Sequence, residues 1–326
     1  MSNEIDRKIN AILKIISDSE NPIGSNEISA KLKEMGIDLT ERSVRYHLKI
    51  IEERGLIKGF WKEGRVITKK GIEELGNSMV SDRVGFIISK IESMSYKMDF
   101  DLVKKKGKIV LNVSLIHKSD FNKAKKVMKS VFEKGLSMGS KVFVAQAGEK
   151  IGDYSVPAGK IGFGTLCSIN INGIFIKSGI PIETKYGGVL EILSNKPYRF
   201  TDLINYSHST LDPHEIFLKS RMLSVLEAAK GTGKVLAGFR EIPAIAKDRA
   251  ENNIELMKDA GICNVLMVGR PSQPVLGIQM GVERMGVVVP GGLNPISALE
   301  EWGIETKSKA LAVLIDYEKL VSFWDI

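Results

Sequence analysis

The sequence is poor in the residues that build disulfide or metal frameworks: its 326 residues include two cysteines, Cys167 and Cys263, and four histidines. Two thiols cannot staple a secreted scaffold, and the histidines have no ligand-spaced partners, so no disulfide, structural metal or cofactor is expected. Nowhere do eighteen apolar residues follow one another, which argues against a membrane-spanning helix. The start, Met1-Ser2-Asn3-Glu4-Ile5-Asp6, lacks the basic-then-apolar order of an export signal, and a soluble, cytoplasmic protein is expected. Negative charge is also in deficit, with 39 Asp plus Glu against 47 Lys plus Arg, a formal +8. The remainder is ordinary globular composition, 43% apolar and 26% charged, in a chain long enough for about two domains. Such a surplus favours a polyanionic partner, and its placement along the chain decides where that partner would sit.

Ile5, Ile9, Ile12, Leu13 and Ile16 recur at helical spacing and predict a first helix ending near Ser19. Ser25, as N-cap, opens a second short helix carrying Ile28 and Leu32 and stopping at Gly36. Thr40 caps a third, in which Val44, Leu48 and Ile51 face inward while Arg42, Ser43, Arg45, Tyr46 and Lys49 take the other faces. Two short strands turning at Glu63-Gly64 follow, then a helix from Thr68. Three helices and a hairpin are the order of a winged helix-turn-helix, whose third helix enters the DNA major groove. Charge agrees: Thr40 to Gly71 holds nine basic and four acidic residues, whereas Met1 to Leu39 holds five and seven. Thr40, Arg42, Ser43, Arg45, Tyr46 and Lys49 are candidate DNA contacts on the helix, and Lys62 and Arg65 candidate phosphate contacts on the wing. One winged helix makes few contacts, so a homodimer on a palindromic operator is expected.

After the winged helix (1–76) and a linker (77–83), the chain becomes an α/β alternation containing a repeat. Gly107 to Gly135 aligns without a gap on Gly233 to Gly261, Ile182-Glu183-Thr184-Lys185 recurs as Ile304-Glu305-Thr306-Lys307, and Gly173-Ile174-Phe175-Ile176 resembles Gly286-Val287-Val288-Val289. The expected fold is thus mixed, α/β or α+β, with an internally duplicated regulatory region over 84–326 whose lobes, about 84–200 and 213–322, are related by a pseudo-twofold axis. A cleft between lobes that close on a small ligand is one outcome; a larger dimerisation platform is the other.

Chemistry in this region is sparse. Gly231-Thr232-Gly233-Lys234 fails as a phosphate-binding loop because Ala228 and Val235 occupy the positions that need Gly and Ser or Thr. His208 and His214 flank Asp212-Pro213 without a partner and read as surface or capping residues. From Cys167 to Gly173, small polar and apolar residues alternate as in a strand, with Ser168, Asn170 and Asn172 on one face; a carboxylate-bearing ligand or plain solvent fits that row. Arg270 and Ser272, after the apolar run Val265 to Val268, suit a carboxylate or a surface ion pair. Gly187 and Gly188 allow close backbone approach to an anion.

Taken together, the chain resembles the archaeal nitrogen-regulation repressors of the NrpR family. The resemblance rests on Glu41-Arg42-Ser43-Val44-Arg45-Tyr46-His47-Leu48, the Cys167 to Gly173 run, Tyr186-Gly187-Gly188, Leu211-Asp212-Pro213-His214, Arg240-Glu241-Ile242-Pro243, Val268-Gly269-Arg270-Pro271 and Gly291-Gly292-Leu293-Asn294-Pro295. It implies a repressor of nitrogen-fixation and nitrogen-assimilation genes, released from DNA by 2-oxoglutarate. Cys167, Ser168, Asn170, Asn172, Gly187, Gly188, Arg270 and Ser272 are then the candidate effector-binding residues. Some members carry two regulatory domains; this chain has room for one, which implies a homodimer or a companion NrpR-type subunit. The alternative is an enzyme built on the duplicated region, which would need a nucleophile, metal or base in a polar constellation that the sequence does not display.

Overall fold

The computed structural model describes residues 2–19, 21–60, 63–77, 84–152 and 154–326, which fall into two compact units, Met1–Val84 and Gly85–Ile326. Lys62 and nearly all of the 77–83 linker lie outside the described residues.

The first unit runs α1 (Ser2–Asp18), α2 (Ser25–Glu34), α3 (Glu41–Glu53), β1 (Ile57–Phe60), β2 (Gly64–Ile67) and α4 (Lys69–Asn77). Its core joins the helical stripes to the hairpin: Ile9, Ile12, Leu13 and Ile16 of α1 meet Ile28, Leu32, Val44, Leu48, Ile51, Leu56 and Ile57. The α2 cap differs from expectation. Gly24 holds the N-cap position, and the Ser25 hydroxyl instead donates to Glu41 Oε1 at 2.9 Å. Thr40 does cap α3, its Oγ1 accepting from Ser43 N at 3.2 Å. At Gly64 (φ 119°) a Cβ would lie 2.6 Å from the Ile23 backbone, because Arg65 and Ile23 bridge the hairpin to the turn before α2. Only glycine seats the wing so closely.

The second unit continues with α5 (Phe86–Lys97), β3 (Lys108–His117), α6 (Phe121–Glu133), β4 (Lys141–Ala145), β5 (Lys150–Ile151), β6 (Tyr154–Ser155), β7 (Lys160–Leu166), α7 (Asn170–Lys177), β8 (Glu183–Leu193) and β9 (Lys196–Asn205). Then come α8 (Pro213–Lys219), α9 (Val225–Ala229), β10 (Gly233–Pro243), α10 (Lys247–Asp259), β11 (Met267–Val268), β12 (Arg284–Pro290), α11 (Asn294–Glu301), β13 (Thr306–Asp316) and β14 (Val321–Ser322). Two five-stranded sheets, ordered β13-β3-β7-β4-β14 and β11-β12-β10-β8-β9, carry most of the strands. All of their pairings are antiparallel, so this unit is α+β without parallel crossovers.

The duplication is present, but its copies do not form two separate lobes. Strand β8 of the first copy pairs with β10 of the second, and β13 of the second pairs with β3 of the first. The helices cross in the same way: α6 packs on α11, and α10 on α7. Each sheet is therefore completed by the other copy, and hinging the contiguous halves apart would break two long ladders. One sequence match is not structural: Gly173 to Ile176 lie in helix α7, whereas Gly286 to Val289 lie in strand β12. The Cys167 run is likewise no strand. Residues 167–169 turn, and Asn170 begins a buried helix. Alternation of small polar and apolar residues does not distinguish a strand from a short helix buried on all sides.

Paired asparagines hold the two turns. Asn170 accepts from Val110 N at 2.7 Å and donates to Val110 O at 2.9 Å. Asn294 accepts from Leu236 N at 2.8 Å and donates to Leu236 O at 2.9 Å and to Leu136 O at 2.7 Å. Replacing Asn294 by Ala orphans these buried backbone groups and should cost about 3 kcal/mol. Denaturant unfolding measures this; a loss below about 1 kcal/mol would show the clamp to be dispensable.

Candidate functional site

Two places carry candidate chemistry, an exposed helix face in the first unit and a buried polar cluster in the second. In the first, Arg42, Arg45, Tyr46 and Lys49 fall three, four and seven residues apart on α3 and share its exposed face, with Tyr46 65% exposed. Opposite them, Val44, His47, Leu48 and Ile51 are buried. Burial also pushes the His47 imidazole below its usual range. Arg45 is held by an ion pair to Glu41 one turn earlier, and Lys49 stands 3.9 Å from Glu53. Arg42 has no acidic partner among the described residues. Thr40 and Ser43 spend their hydroxyls on each other, 3.0 Å apart, at the helix cap. Arg65 is half-buried, its Nε 3.4 Å from Glu52 Oε2, so its cation leans on α3 instead of standing free on the wing.

In the second unit, a guanidinium lies at the centre of the buried polar groups. Arg240, on β10, has no solvent exposure. Its Nε donates to Asn172 Oδ1 at 3.1 Å, Nη2 to Ser168 Oγ at 3.1 Å, and Nη1 to the Phe239 carbonyl at 3.4 Å. Asn172 in turn donates to Thr184 Oγ1 at 2.6 Å, and the guanidinium lies 5.9 Å from the Tyr206 ring centre. Gly238 makes room for it, since a Cβ there would lie 2.5 Å from Nη1. No carboxylate among the described residues forms an ion pair or hydrogen bond with it, although the buried Asp212 carboxyl acts on it from farther away. A desolvated cation with neutral partners is costly to hold, and such an arrangement favours an anion.

Beside this cation is a cavity of about 10 Å³, lined by Asn112, Cys167, Ser168, Tyr206, Asp212 and His214 among others. That is room for about one water. Burial raises the Asp212 carboxyl above its usual range, against the amides of Glu215 and His214 that it accepts as cap of α8. Burial pushes the Cys167 thiol up to about 11, which leaves it no reactive thiolate. His214 Nε2 stands 3.3 Å from the Ala237 carbonyl, and burial, helped by nearby Arg240, pushes the ring down to about 4.

The structure therefore gathers Cys167, Ser168 and Asn172 around Arg240, and places Gly187 beside Tyr206, whose hydroxyl would lie 3.0 Å from a Cβ there. Asn170 is committed to its backbone clamp. Gly188 faces β9, where a Cβ would lie 2.5 Å from Asp202 O. Arg270 and Ser272 are exposed on the turn after β11, at the sheet edge, where the Ser272 hydroxyl accepts from Glu283 N at 2.9 Å. Arg240, Tyr206, Asp212 and His214 were not among the sequence candidates, and His214 is buried, contrary to its reading as a surface or capping residue. The signal for Arg240 is an arginine that directly follows the apolar strand run Val235 to Phe239.

Replacing Arg42 by Ala should weaken DNA binding by about 1–3 kcal/mol, roughly 5- to 150-fold, as expected for a guanidinium on a base edge. Arg65→Ala should cost several-fold less, since Glu52 already engages it; anisotropy titrations with labelled DNA report both, and equal losses would overturn the ranking. His214 gives a pH signature. Its folded value of about 4 lies below the unfolded value near 6.5, so the unfolded chain binds the extra proton and stability falls as pH drops from 6.5 to 4. The loss is about 3 kcal/mol. Asp212 acts with the opposite sign, its neutral form being favoured in the fold. Unfolding curves of His214→Gln should lack the histidine loss; an unchanged pH profile would contradict it.

Comparison with known proteins places these features in a family. A model described as NrpR regulatory domains NRD1 and 2 matches residues 84–322, and one described as a Ribonuclease R winged-helix domain matches residues 10–75. The global nitrogen regulator NrpRI of Methanosarcina mazei is 36% identical over 321 residues, 98% of this chain and 99% of that protein. The global nitrogen regulator NrpR of Methanococcus maripaludis is 32% identical over 95% of this chain, which spans only 54% of that longer relative. A crystal structure of a nitrogen repressor-like protein from Methanococcus jannaschii matches with a TM-score of 0.62 at 29% identity, over 73% of this chain and 98% of that one. No described helix is long and apolar enough to cross a membrane. With the regulatory-domain model matched across the whole second unit, a winged helix before it and a relative similar from end to end, the chain belongs to the NrpR family of nitrogen regulators, a family of transcription regulators and not of enzymes.

Proposed function

We propose that this regulator represses nitrogen-fixation and nitrogen-assimilation genes by binding a palindromic operator as a homodimer, and leaves it when 2-oxoglutarate occupies the regulatory unit. The observation that carries this reading is the contrast between the two units. One displays cations on an exposed helix face, suited to a polyanion; the other buries a cation among neutral partners, suited to a small anion.

On α3, Arg42, Arg45, Tyr46 and Lys49 can reach base edges and phosphates, while wing cations add affinity that falls with salt. In the regulatory unit, a carboxylate of 2-oxoglutarate matches the guanidinium fork. The cavity beside Arg240 holds no more than about one water, so the effector enters only if the walls move. That requirement supplies the coupling. A ligand that binds only the opened arrangement draws the population toward it, and repression is relieved if that arrangement binds DNA less well. A companion NrpR-type subunit would act on the same equilibrium.

An operator gel shift titrated with 2-oxoglutarate and related keto acids tests the proposal. Millimolar 2-oxoglutarate should release the DNA while pyruvate does not, and the free protein should elute as a dimer. Operator complexes that survive saturating 2-oxoglutarate would refute its role as effector.

A further inference from the structure

The two copies within the regulatory unit can be compared atom for atom at the buried cluster, and they are unequal. Asn170 clamps Val110 with the same two bonds by which Asn294 clamps Leu236. The amides of Cys167 and Gly291 donate to those same two carbonyls, at 3.0 and 2.7 Å. These bonds fix the correspondence between copies. Four residues beyond the clamped position, β10 has Arg240 where β3 has Ser114. Two residues before the clamping asparagine stand Ser168 and Gly292, and two after it Asn172 and Ile296.

Arg240, Ser168 and Asn172 are thus each replaced in the second position, where only the threonine of the cluster keeps a counterpart, Thr306 for Thr184. Ser114 is fully buried and bonds to Ser308, its cross-strand neighbour, at 2.8 Å. Gly292 admits no side chain, since a Cβ would lie 1.9 Å from the Leu166 carbonyl. Ile296 is buried and apolar. An anion placed there would lose its hydration and find no cation in return.

We infer that each chain holds a single anion seat, on the Arg240 side, taking one dicarboxylate, and that the related place in the other copy is closed. Of the five guanidinium hydrogens, three are engaged by Asn172, Ser168 and the Phe239 carbonyl, which leaves two for an incoming carboxylate. Ser168 is the link: Ser168 and Gly292 both line the cavity, but only Ser168 carries a polar side chain, and its hydroxyl touches the guanidinium that stands behind the cavity wall. The duplication then supplies the scaffold twice and the site once. This inference rests on the effector reading above.

Titration calorimetry of the full chain with 2-oxoglutarate tests it. One equivalent per chain is expected, with affinity falling about 100-fold in Arg240→Met, as for the loss of a charge-assisted contact. Circular dichroism checks that this variant folds. Ser168→Ala removes one small hydroxyl, with folding checked in the same way, and should weaken binding about 10-fold, while Ser114→Ala should bind as the natural chain does. Two equivalents per chain, or full affinity in Ser168→Ala, would overturn the single seat and leave 2-oxoglutarate as effector. No binding heat for the natural chain would overturn the effector reading itself.

Discussion

The burial of Arg240 without a carboxylate partner is the constraint around which the regulatory unit is arranged. A guanidinium removed from water must recover its hydration from fixed groups, and here Ser168, Asn172 and a backbone carbonyl supply them. Those groups have to be held in turn. Asn172 is oriented by Thr184 on the strand next to Arg240, and Ser168 sits in a turn fixed by the Cys167 amide and the Asn170 clamp. Gly238 is small because the guanidinium occupies the space of its side chain. Fully satisfied networks of this kind specify one packing, and partly satisfied ones are sensitive to whatever enters.

Strand exchange makes that sensitivity a property of the whole unit. Arg240 belongs to the second copy, whereas Ser168, Asn172 and Thr184 belong to the first, so the cluster closes only because β8 crosses to pair with β10. Two lobes on a hinge could open while each kept its own sheet. Interleaved copies cannot, and a change at the cluster must be taken up by turns and short helices such as 206–219, from which Tyr206, Asp212 and His214 line the cavity. The β13 strand carries a related irregularity. Three residues, Ala310 to Ala312, bulge opposite Asn112, with Leu311 at φ 50°, and Ala310 and Leu311 also border the cavity. A non-glycine residue in that conformation is strained, and strain of this kind concentrates at sites that respond to ligands.

The DNA-facing unit follows a simpler logic. Its stability comes from apolar stripes that converge on one core, which leaves the opposite face of α3 free to be chosen for contact. The surplus charge of the chain is not confined there. Between Tyr96 and Lys141, twelve lysines face four acidic residues, all of the cations being lysine. Lysine is strongly hydrated and lacks the planar fork that reads a base edge, so this stretch has the composition of a solvated face and not of a recognition surface.

The sequence alone determined the features that repeat locally. Helical stripes at Ile9, Ile12 and Ile16, the Thr40 cap, the hairpin turn and the order of helices and hairpin were legible because spacing and capping act within a few residues. The duplication and the family were legible through matched motifs, which need no geometry. What tertiary structure alone decided is partnership across distance. Arg240 and Ser168 are 72 residues apart, and nothing in either stretch says that one strand of each copy will complete the other's sheet. The same reason separates Arg270 from Arg240. Both are arginines after apolar runs, and one faces solvent while the other is enclosed, because sheet position and not local sequence sets which residues are shielded from water.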